Sequence, residues 1–269
     1  MSEAARVEVR REGDLLRVVL NDPDRANALS PAMVAELTEI FRRDWRADGV
    51  RALLLSGAGR HFCAGADLAH LAALQEATIE ENRRDSQALR DLFAALLRQE
   101  ALTVALVHGS CVAGGCGLAT ACDLVVAEPA ARFAYTEVKI GFLAAMVLTF
   151  LTRRVPGHVA RRLLLDPEMI DGERAVSIGL ADELANPGSA IETAIERART
   201  VCAKASPAAL AATKALLNEV VGLGWRDALA AAAEANVRQR RHPDCVRGVR
   251  SFLEDKTTPD WLEAADDGE

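Results

Sequence analysis

Residues 103–123, the most informative stretch of the chain, read TVALVHGSCVAGGCGLATACD. The apolar residues 103–107 predict a buried strand. Glycines at 109, 114, 115 and 117 then predict a turn that leads into a helix of small residues. Glycines at a strand-to-helix turn leave the N–H groups of the helix N-terminus open to an anionic group. They also allow helices to pack closely, so this stretch alone leaves both interpretations open.

The preceding hundred residues alternate between strand and helix patterns. Residues 7–11 and 15–20 flank a turn and predict a hairpin. Ser30 and Pro31 are typical of a helix start, and residues 51–56 predict a short buried strand. Residues 75–87 are polar and are expected to form a mobile loop or an exposed helix start. Because a strand, strand, helix unit recurs, we expect an α/β core of stacked repeating turns.

The pattern changes after about residue 195. Segments 189–205, 207–221 and 225–240 are rich in alanine and predict helices without strands between them. We therefore divide the chain into a core over residues 1–195 and a helical oligomerisation region over residues 196–269. A helical appendage of this kind usually packs on a neighbouring subunit or covers a site.

Composition excludes several classes of protein. The 269 residues carry a net charge of −7, which argues against a nucleic-acid partner. No stretch approaches the roughly 18 apolar residues of a membrane span, and the N-terminus lacks the apolar core of a secretory signal. The six cysteines and five histidines show no metal-ligand spacing. We expect a cytoplasmic protein with reduced cysteines, no metal and no membrane contact.

A second turn lies at residues 61–68, HFCAGADL, after the strand at 51–56. The turn can present the N–H of Ala66 to a cleft, or it can be an ordinary connection with Asp67 as a helix N-cap. Two N–H groups that converge from different turns would form an oxyanion hole. Each donor of such a hole stabilises a developing oxyanion by about 3 kcal/mol.

Glu137 follows a predicted strand and stands among apolar residues. Partial burial would raise the pKa of its carboxyl group, as a general base or acid near neutrality requires. A helix-starting glutamate near Lys139 is the structural alternative.

Taken in order, six segments resemble the crotonase (enoyl-CoA hydratase/isomerase) superfamily. They are RANALS (25–30), FCAGADL (62–68), VAGGCG (112–117), ACD (121–123), FAYTEVKIG (133–141) and IGLADE (178–183). The resemblance implies a spiral of ββα turns and a C-terminal helical trimerisation region. It also implies trimers that often pair into hexamers.

The resemblance further implies an acyl-CoA thioester substrate, with no cofactor beyond the coenzyme A of the substrate itself. The N–H groups of Ala66 and Gly114 would bind the thioester oxygen as it becomes an enolate. The positions that match the family's CoA contacts are Arg25, Ala26, Ala64, Asp67, Leu68 and, near the C-terminus, Lys256.

The catalytic acids separate the members of this family. Typical hydratases use two glutamates, and the first of these positions is Gly117 here while the second is Glu137. One base suffices to move a double bond from the 3,4 to the 2,3 position, so the chemistry favours an isomerase with Glu137 as its single acid/base. The alternatives are a hydratase that takes a substitute acid from Glu76, Glu80 or Glu81, another acyl-CoA reaction such as decarboxylation, and a non-catalytic acyl-CoA-binding scaffold.

Overall fold

The computed structural model describes residues 5–186 and 188–263. The first four residues of the N-terminal segment and the last six of the predicted helical region lie outside these ranges. The strands are β1 (Val7–Glu12), β2 (Leu15–Leu20), β3 (Ala52–Gly57), β4 (Leu102–Val107), β5 (Ser110–Val112), β6 (Leu124–Ala127), β7 (Arg132–Ala134), β8 (Ile170–Asp171) and β9 (Glu183–Leu184).

The helices outnumber the strands in the described part of the chain. They are α1 (Pro31–Arg42), α2 (Leu68–Gln75), α3 (Ile79–Arg98), α4 (Gly114–Ala121), α5 (Ala145–Arg154), α6 (Gly157–Leu165), α7 (Gly172–Ser177), α8 (Ala190–Lys204), α9 (Pro207–Val220), α10 (Trp225–Arg240) and α11 (Pro243–Asp255). Short 3₁₀ turns lie at Pro23–Arg25 and Glu137–Ile140.

The nine strands of the described residues form two separate sheets. The larger has the order β1-β2-β3-β4-β6-β9, with β1 antiparallel to β2 and the remaining pairs parallel. The smaller has the order β5-β7-β8. From β4 to β7 the chain places one strand in the large sheet, one in the small sheet and then a helix, after which the same strand pair repeats. The predicted unit of strand, strand and helix is therefore present.

Both faces of the large sheet are buried, as in parallel sheets covered on both sides. Alternate residues of β2 and β3, such as Leu16 and Leu53, join the core beneath α1. Their neighbours Leu15 and Leu54 face the other way and pack with Ala198 of α8. The division predicted at residue 195 falls inside α8, and the proposed limits of the two regions stay a prediction.

One local feature differs from the sequence expectations. The glycine turn contains the three-residue strand β5, which its short length and two glycine-rich flanks concealed. The polar stretch at 75–87 contains the start of α3, which is the second of the two alternatives expected for it. Thr78 caps α3 reciprocally with Glu81, because each side chain accepts the other residue's backbone N–H.

No helix among residues 5–186 and 188–263 has both the length and the apolar character needed to cross a membrane.

Candidate active site

The two predicted turns lie against each other. Val112 N–H donates to the carbonyl of Cys63 at 2.9 Å, and Leu29 N–H donates to that of Gly65 at 2.7 Å. A methyl group on Gly65 would stand 3.2 Å from Gly114 N, and one on Gly114 would stand 3.8 Å from Ala66 N. Gly65 also has a φ of +88°, so both the conformation and the close approach require glycine there. The backbone N–H groups of Ala66 and Gly114 therefore lie side by side.

Gly114 begins α4, and Ala113 holds it in place. Ala113 has a φ of +49°, which is strained for a residue with a side chain, and its N–H donates to Ala134 of β7 at 2.8 Å. Within residues 5–186 and 188–263, neither Ala66 N–H nor Gly114 N–H donates a hydrogen bond. Two adjacent donors without partners, one at a helix N-terminus, can bind a developing oxyanion.

Both donors open into a cavity of about 710 Å³. Its walls come from α1, α2, α3, the start of α4, the 3₁₀ turn at Glu137–Ile140 and α5. The apolar lining includes Val34, Leu71, Leu74, Leu89, Phe93 and Met146. Its carboxylates are Glu39, Asp67, Asp85, Asp91 and Glu137. A mostly apolar cavity of this size with a few polar groups is typical of a site for a small organic substrate.

Glu137 is the most buried of these carboxylates, with 8% of its surface exposed. Its Oε2 atom is buried and has no hydrogen-bond partner in the described part of the chain. Burial raises the pKa of the Glu137 carboxyl group above its ordinary value. A buried carboxyl group with a free oxygen in a substrate-sized cavity can take up and return a proton.

A side chain at position 117 would require its neighbours to move. A Cβ atom on Gly117 would come within 2.7 Å of Val147 Cγ1 and 3.0 Å of Phe93 Cζ. Both side chains are buried, and the Phe93 ring packs against that of Phe150 at a tilt of 42°, with centroids 4.8 Å apart. Apolar groups thus occupy the space beside α4 into which a longer side chain would extend.

The candidate CoA residues fall into two groups. Ala64 N–H donates to the carbonyl of Ala26 at 2.9 Å, and Arg25 forms an ion pair with Asp67 at 3.2 Å. The N–H groups of His70 and then Ala69 lower the pKa of Asp67, and Arg25 lowers it further. Ala64, Asp67 and the exposed Leu68 line the cavity, whereas Ala26 and Arg25 do not line it but contact Ala64 and Asp67.

Lys256 lies elsewhere. It ends α11 with a φ of +59°, and its Nζ donates to the carbonyl of Leu253 at 3.0 Å. It is not part of the cavity wall of this single chain. Its predicted contact with CoA therefore depends on another subunit and stays a prediction.

The three glutamates considered as substitute acids do not line the cavity. Glu76 ends α2, Glu80 pairs with Arg83, and Glu81 is held by Thr78. Sequence reasoning missed two other residues of the cavity wall, His70 and Asp85, whose side chains meet at 2.7 Å. They stand on different helices 15 residues apart, so no local motif marks them.

Comparison with known proteins identifies the family. The model of the family described as "Enoyl-CoA hydratase/isomerase" matches residues 10–264. The chain belongs to the enoyl-CoA hydratase/isomerase family. The "Putative enoyl-CoA hydratase" of Thermus thermophilus is 45% identical over 244 residues, which is 90% of this chain and 96% of that protein.

Other members of the enoyl-CoA hydratase/isomerase family support the same assignment. The (E)-benzylidenesuccinyl-CoA hydratase of Thauera aromatica is 35% identical over 73% of this chain and 76% of its own. The crystal structure of an enoyl-CoA hydratase from Mycobacterium smegmatis has a TM-score of 0.87 at 31% identity, and covers 95% of this chain and 98% of that one. The expected crotonase fold, with its helical C-terminal region, is confirmed.

Most cysteines of this family member are buried thiols. Five of the six cysteines are buried and none forms a disulfide. Burial raises the pKa of the Cys63 and Cys122 thiols to about 12, so neither is a thiolate near neutrality. No group of three or more metal-ligating side chains occurs among residues 5–186 and 188–263.

Proposed function

We propose that this protein moves the double bond of a 3-enoyl-CoA to the 2,3 position, with Glu137 as its single acid/base. The observation that carries the proposal is the buried, unpaired Oε2 of Glu137 in the cavity into which the N–H groups of Ala66 and Gly114 open. The proposed proton transfers need no cofactor beyond the CoA of the substrate.

In the proposed reaction, the thioester oxygen accepts hydrogen bonds from Ala66 and Gly114. Ionised Glu137 removes a proton from C2, and the electron pair of that C–H bond spreads over the dienolate as far as C4. Protonated Glu137 then returns the proton to C4, so the 3,4 double bond becomes a 2,3 double bond. The two donors stabilise the negative charge on the oxygen throughout, at the N-terminus of α4 where the helix dipole favours it.

For the CoA group, we propose contacts with Arg25, Ala26, Ala64, Asp67 and Leu68 on one subunit. The position of Ala64, Asp67 and Leu68 in the cavity wall supports this assignment, as do the contacts of Ala26 and Arg25 with that wall. Lys256 would contribute from a neighbouring subunit.

Hydration of a 2-enoyl-CoA is the second candidate, because the similar proteins named above carry hydratase names. Conventional hydration with two glutamates is disfavoured, since Val147 and Phe93 fill the space next to Gly117.

Parallel spectroscopic assays with 3-enoyl-CoA and 2-enoyl-CoA panels test the proposal. We expect conversion of a 3-enoyl-CoA to its 2-enoyl isomer. Glu137→Gln should lower this rate by 10²-fold or more, as for the loss of a general base, and leave acyl-CoA binding intact. Full activity of Glu137→Gln would exclude Glu137 as the base. Binding of acyl-CoA without turnover of either panel would indicate a scaffold.

We also propose a homotrimer or a hexamer, with the last helices at the subunit contacts. No residue of α10 or α11, both fully described, is buried in the single chain. These helices expose Trp225, Leu229, Val237, Val249 and Leu253. Light scattering should give three or six copies, and Leu229→Glu should dissociate them. Leu165→Glu, which changes an exposed leucine at the end of α6, is the matched control and should leave the assembly unchanged.

A further inference from the structure

His70 and Asp85 form a pair in the wall of the cavity that the proposed isomerisation does not use. His70 Nε2 lies 2.7 Å from Asp85 Oδ1. His70 belongs to the first turn of α2, and Asp85 belongs to α3. Both side chains are about one-third exposed, and both line the cavity that Ala66, Gly114 and Glu137 also line.

The helix geometry turns His70 toward the substrate space. The N-cap Asp67 and the α2 residues Leu68, His70, Leu71 and Leu74 line the cavity, and residues three and four apart lie on one side of a helix. Asp67 caps this helix directly after Ala66. His70 therefore lies in the first turn of α2, four residues after the N–H donor that would hold the thioester oxygen.

The contact with Asp85 leaves the second ring nitrogen of His70 available. Nδ1 makes no hydrogen bond to any group within residues 5–186 and 188–263. When Nε2–H donates to a carboxylate, the lone pair of a neutral imidazole lies on Nδ1. The carboxylate also fixes the ring orientation and stabilises the imidazolium that forms on proton uptake. This arrangement is that of a general base with its positioning residue.

We propose that His70, oriented by Asp85, is the second proton-transfer group of this cavity and activates a water molecule for addition to C3 of a 2-enoyl-CoA. The inference rests on the proposed function for the position of the thioester in the cavity. It gives the protein a second proton carrier without a side chain at Gly117. The 2-enoyl product of the proposed isomerisation would be the substrate of this addition.

The step balances as the addition of one water molecule. His70 takes a proton from water, and the oxygen of that water forms a bond with C3. The electron pair of the C2–C3 double bond moves to the thioester oxygen, held by Ala66 and Gly114. Protonated Glu137 gives its proton to C2 as the thioester carbonyl re-forms. His70 then releases its proton to solvent, and Glu137 takes one up.

The test measures hydration of a 2-enoyl-CoA and isomerisation of a 3-enoyl-CoA with the same preparations of full-length protein. His70→Gln and His70→Ala should lower hydration by 10²-fold or more and change isomerisation by less than about threefold. Added imidazole should restore part of the hydration rate of His70→Ala. Asp85→Asn should lower kcat for hydration with little change in KM, because it leaves the base in place but poorly oriented.

Asn82→Ala is the matched control for a purely structural link between α2 and α3. Asn82 Nδ2 donates to the carbonyl of Leu74 at 2.8 Å, so this variant removes a contact between the same helices without removing a proton carrier. It should change both reactions equally. Three results would overturn the inference: the protein does not hydrate a 2-enoyl-CoA at all, His70→Gln hydrates it at the unchanged rate, or the His70 variants lose both reactions equally. Absent isomerisation with His70-dependent hydration would instead overturn the proposed isomerase activity alone.

Discussion

Val147 lies where a side chain on Gly117 would have to begin. The 2.7 Å between Val147 Cγ1 and a Cβ atom at position 117 is shorter than any ordinary carbon–carbon contact. Val147 is buried on α5 and cannot turn away into solvent. Apolar side chains therefore pack against Gly117, and a larger side chain at this position would have to displace them.

A double-mutant cycle tests this packing. Gly117→Ala should lower the free energy of unfolding by about 1–3 kcal/mol, because overpacking outweighs the better helix propensity of alanine. Val147→Ala alone should also destabilise the protein by leaving a cavity. The double variant should be more stable than the sum of the two single effects predicts, since each change accommodates the other. Urea unfolding of all four proteins measures the coupling, and strict additivity would contradict the contact.

Glu137 should destabilise the folded protein when it is ionised. Burial raises the pKa of its carboxyl group above the ordinary value of 4.5. Its contribution to stability is therefore greatest below pH 4.5 and is lost as the pH rises through the pKa of the folded state. Glu137→Gln should have a higher melting temperature than the unmodified protein at neutral pH, and this difference should disappear in acid.

Glu39→Gln provides the control for this prediction, because it removes the same charge from an exposed position on the same cavity. Thermal unfolding between pH 4 and pH 8 should show little difference for Glu39→Gln. A Glu137→Gln variant that is less stable than the unmodified protein at neutral pH would show that the ionised carboxylate is well solvated or paired.

Much of the site could be predicted from sequence because its parts are carried by local motifs. The turn that presents Ala66 and the turn that presents Gly114 each have glycines at fixed positions, and the 3₁₀ turn begins at Glu137. These features depend on backbone conformation within a few residues. Their order along the chain was enough to indicate the family.

The features of the site that could not be predicted from the sequence depend on packing between segments that are distant along the chain. The contact of Val147 with Gly117 joins α5 to α4, and the pair of His70 and Asp85 joins α2 to α3. Neither contact produces a hydrophobic periodicity or a motif spacing that could be recognised in the sequence. The substitute acid was sought among Glu76, Glu80 and Glu81 because they share a polar stretch, but none of these three residues lines the cavity, whereas Asp85 of the same stretch does.

Ala113 stores backbone strain next to Gly114. Its φ of +49° and ψ of −117° suit glycine and cost a residue with a Cβ about 1–3 kcal/mol. Ala113→Gly should therefore raise the free energy of unfolding by roughly 1 kcal/mol and lower kcat, because a freer backbone holds the Gly114 N–H less firmly. Ala212→Gly, at an exposed interior position of α9, is the control and should lower stability by about 1 kcal/mol without changing kcat. A loss of stability in both variants would contradict strain at Ala113.

Asp67 caps the helix α2 and directly follows Ala66, whose N–H is a proposed oxyanion donor. The Asp67 carboxylate accepts the N–H groups of Ala69 at 2.9 Å and His70 at 3.2 Å. Asp67→Ala should lower the free energy of unfolding by about 1 kcal/mol, as for other lost N-caps. It should also lower kcat, because α2 has no buried residue to hold its first turn in place.

The control for this change is Asp171→Ala, which removes the N-cap of α7. Asp171 accepts the N–H of Arg174 at 2.8 Å and is not part of the cavity wall. Asp171→Ala should lose similar stability and keep the kcat of the unmodified protein. Asp67→Asn should retain most of the capping but weaken the ion pair with Arg25, so it should raise KM for the CoA ester more than it lowers kcat. Equal kcat values for Asp67→Ala and Asp171→Ala would show that the position of Ala66 does not depend on the cap of α2.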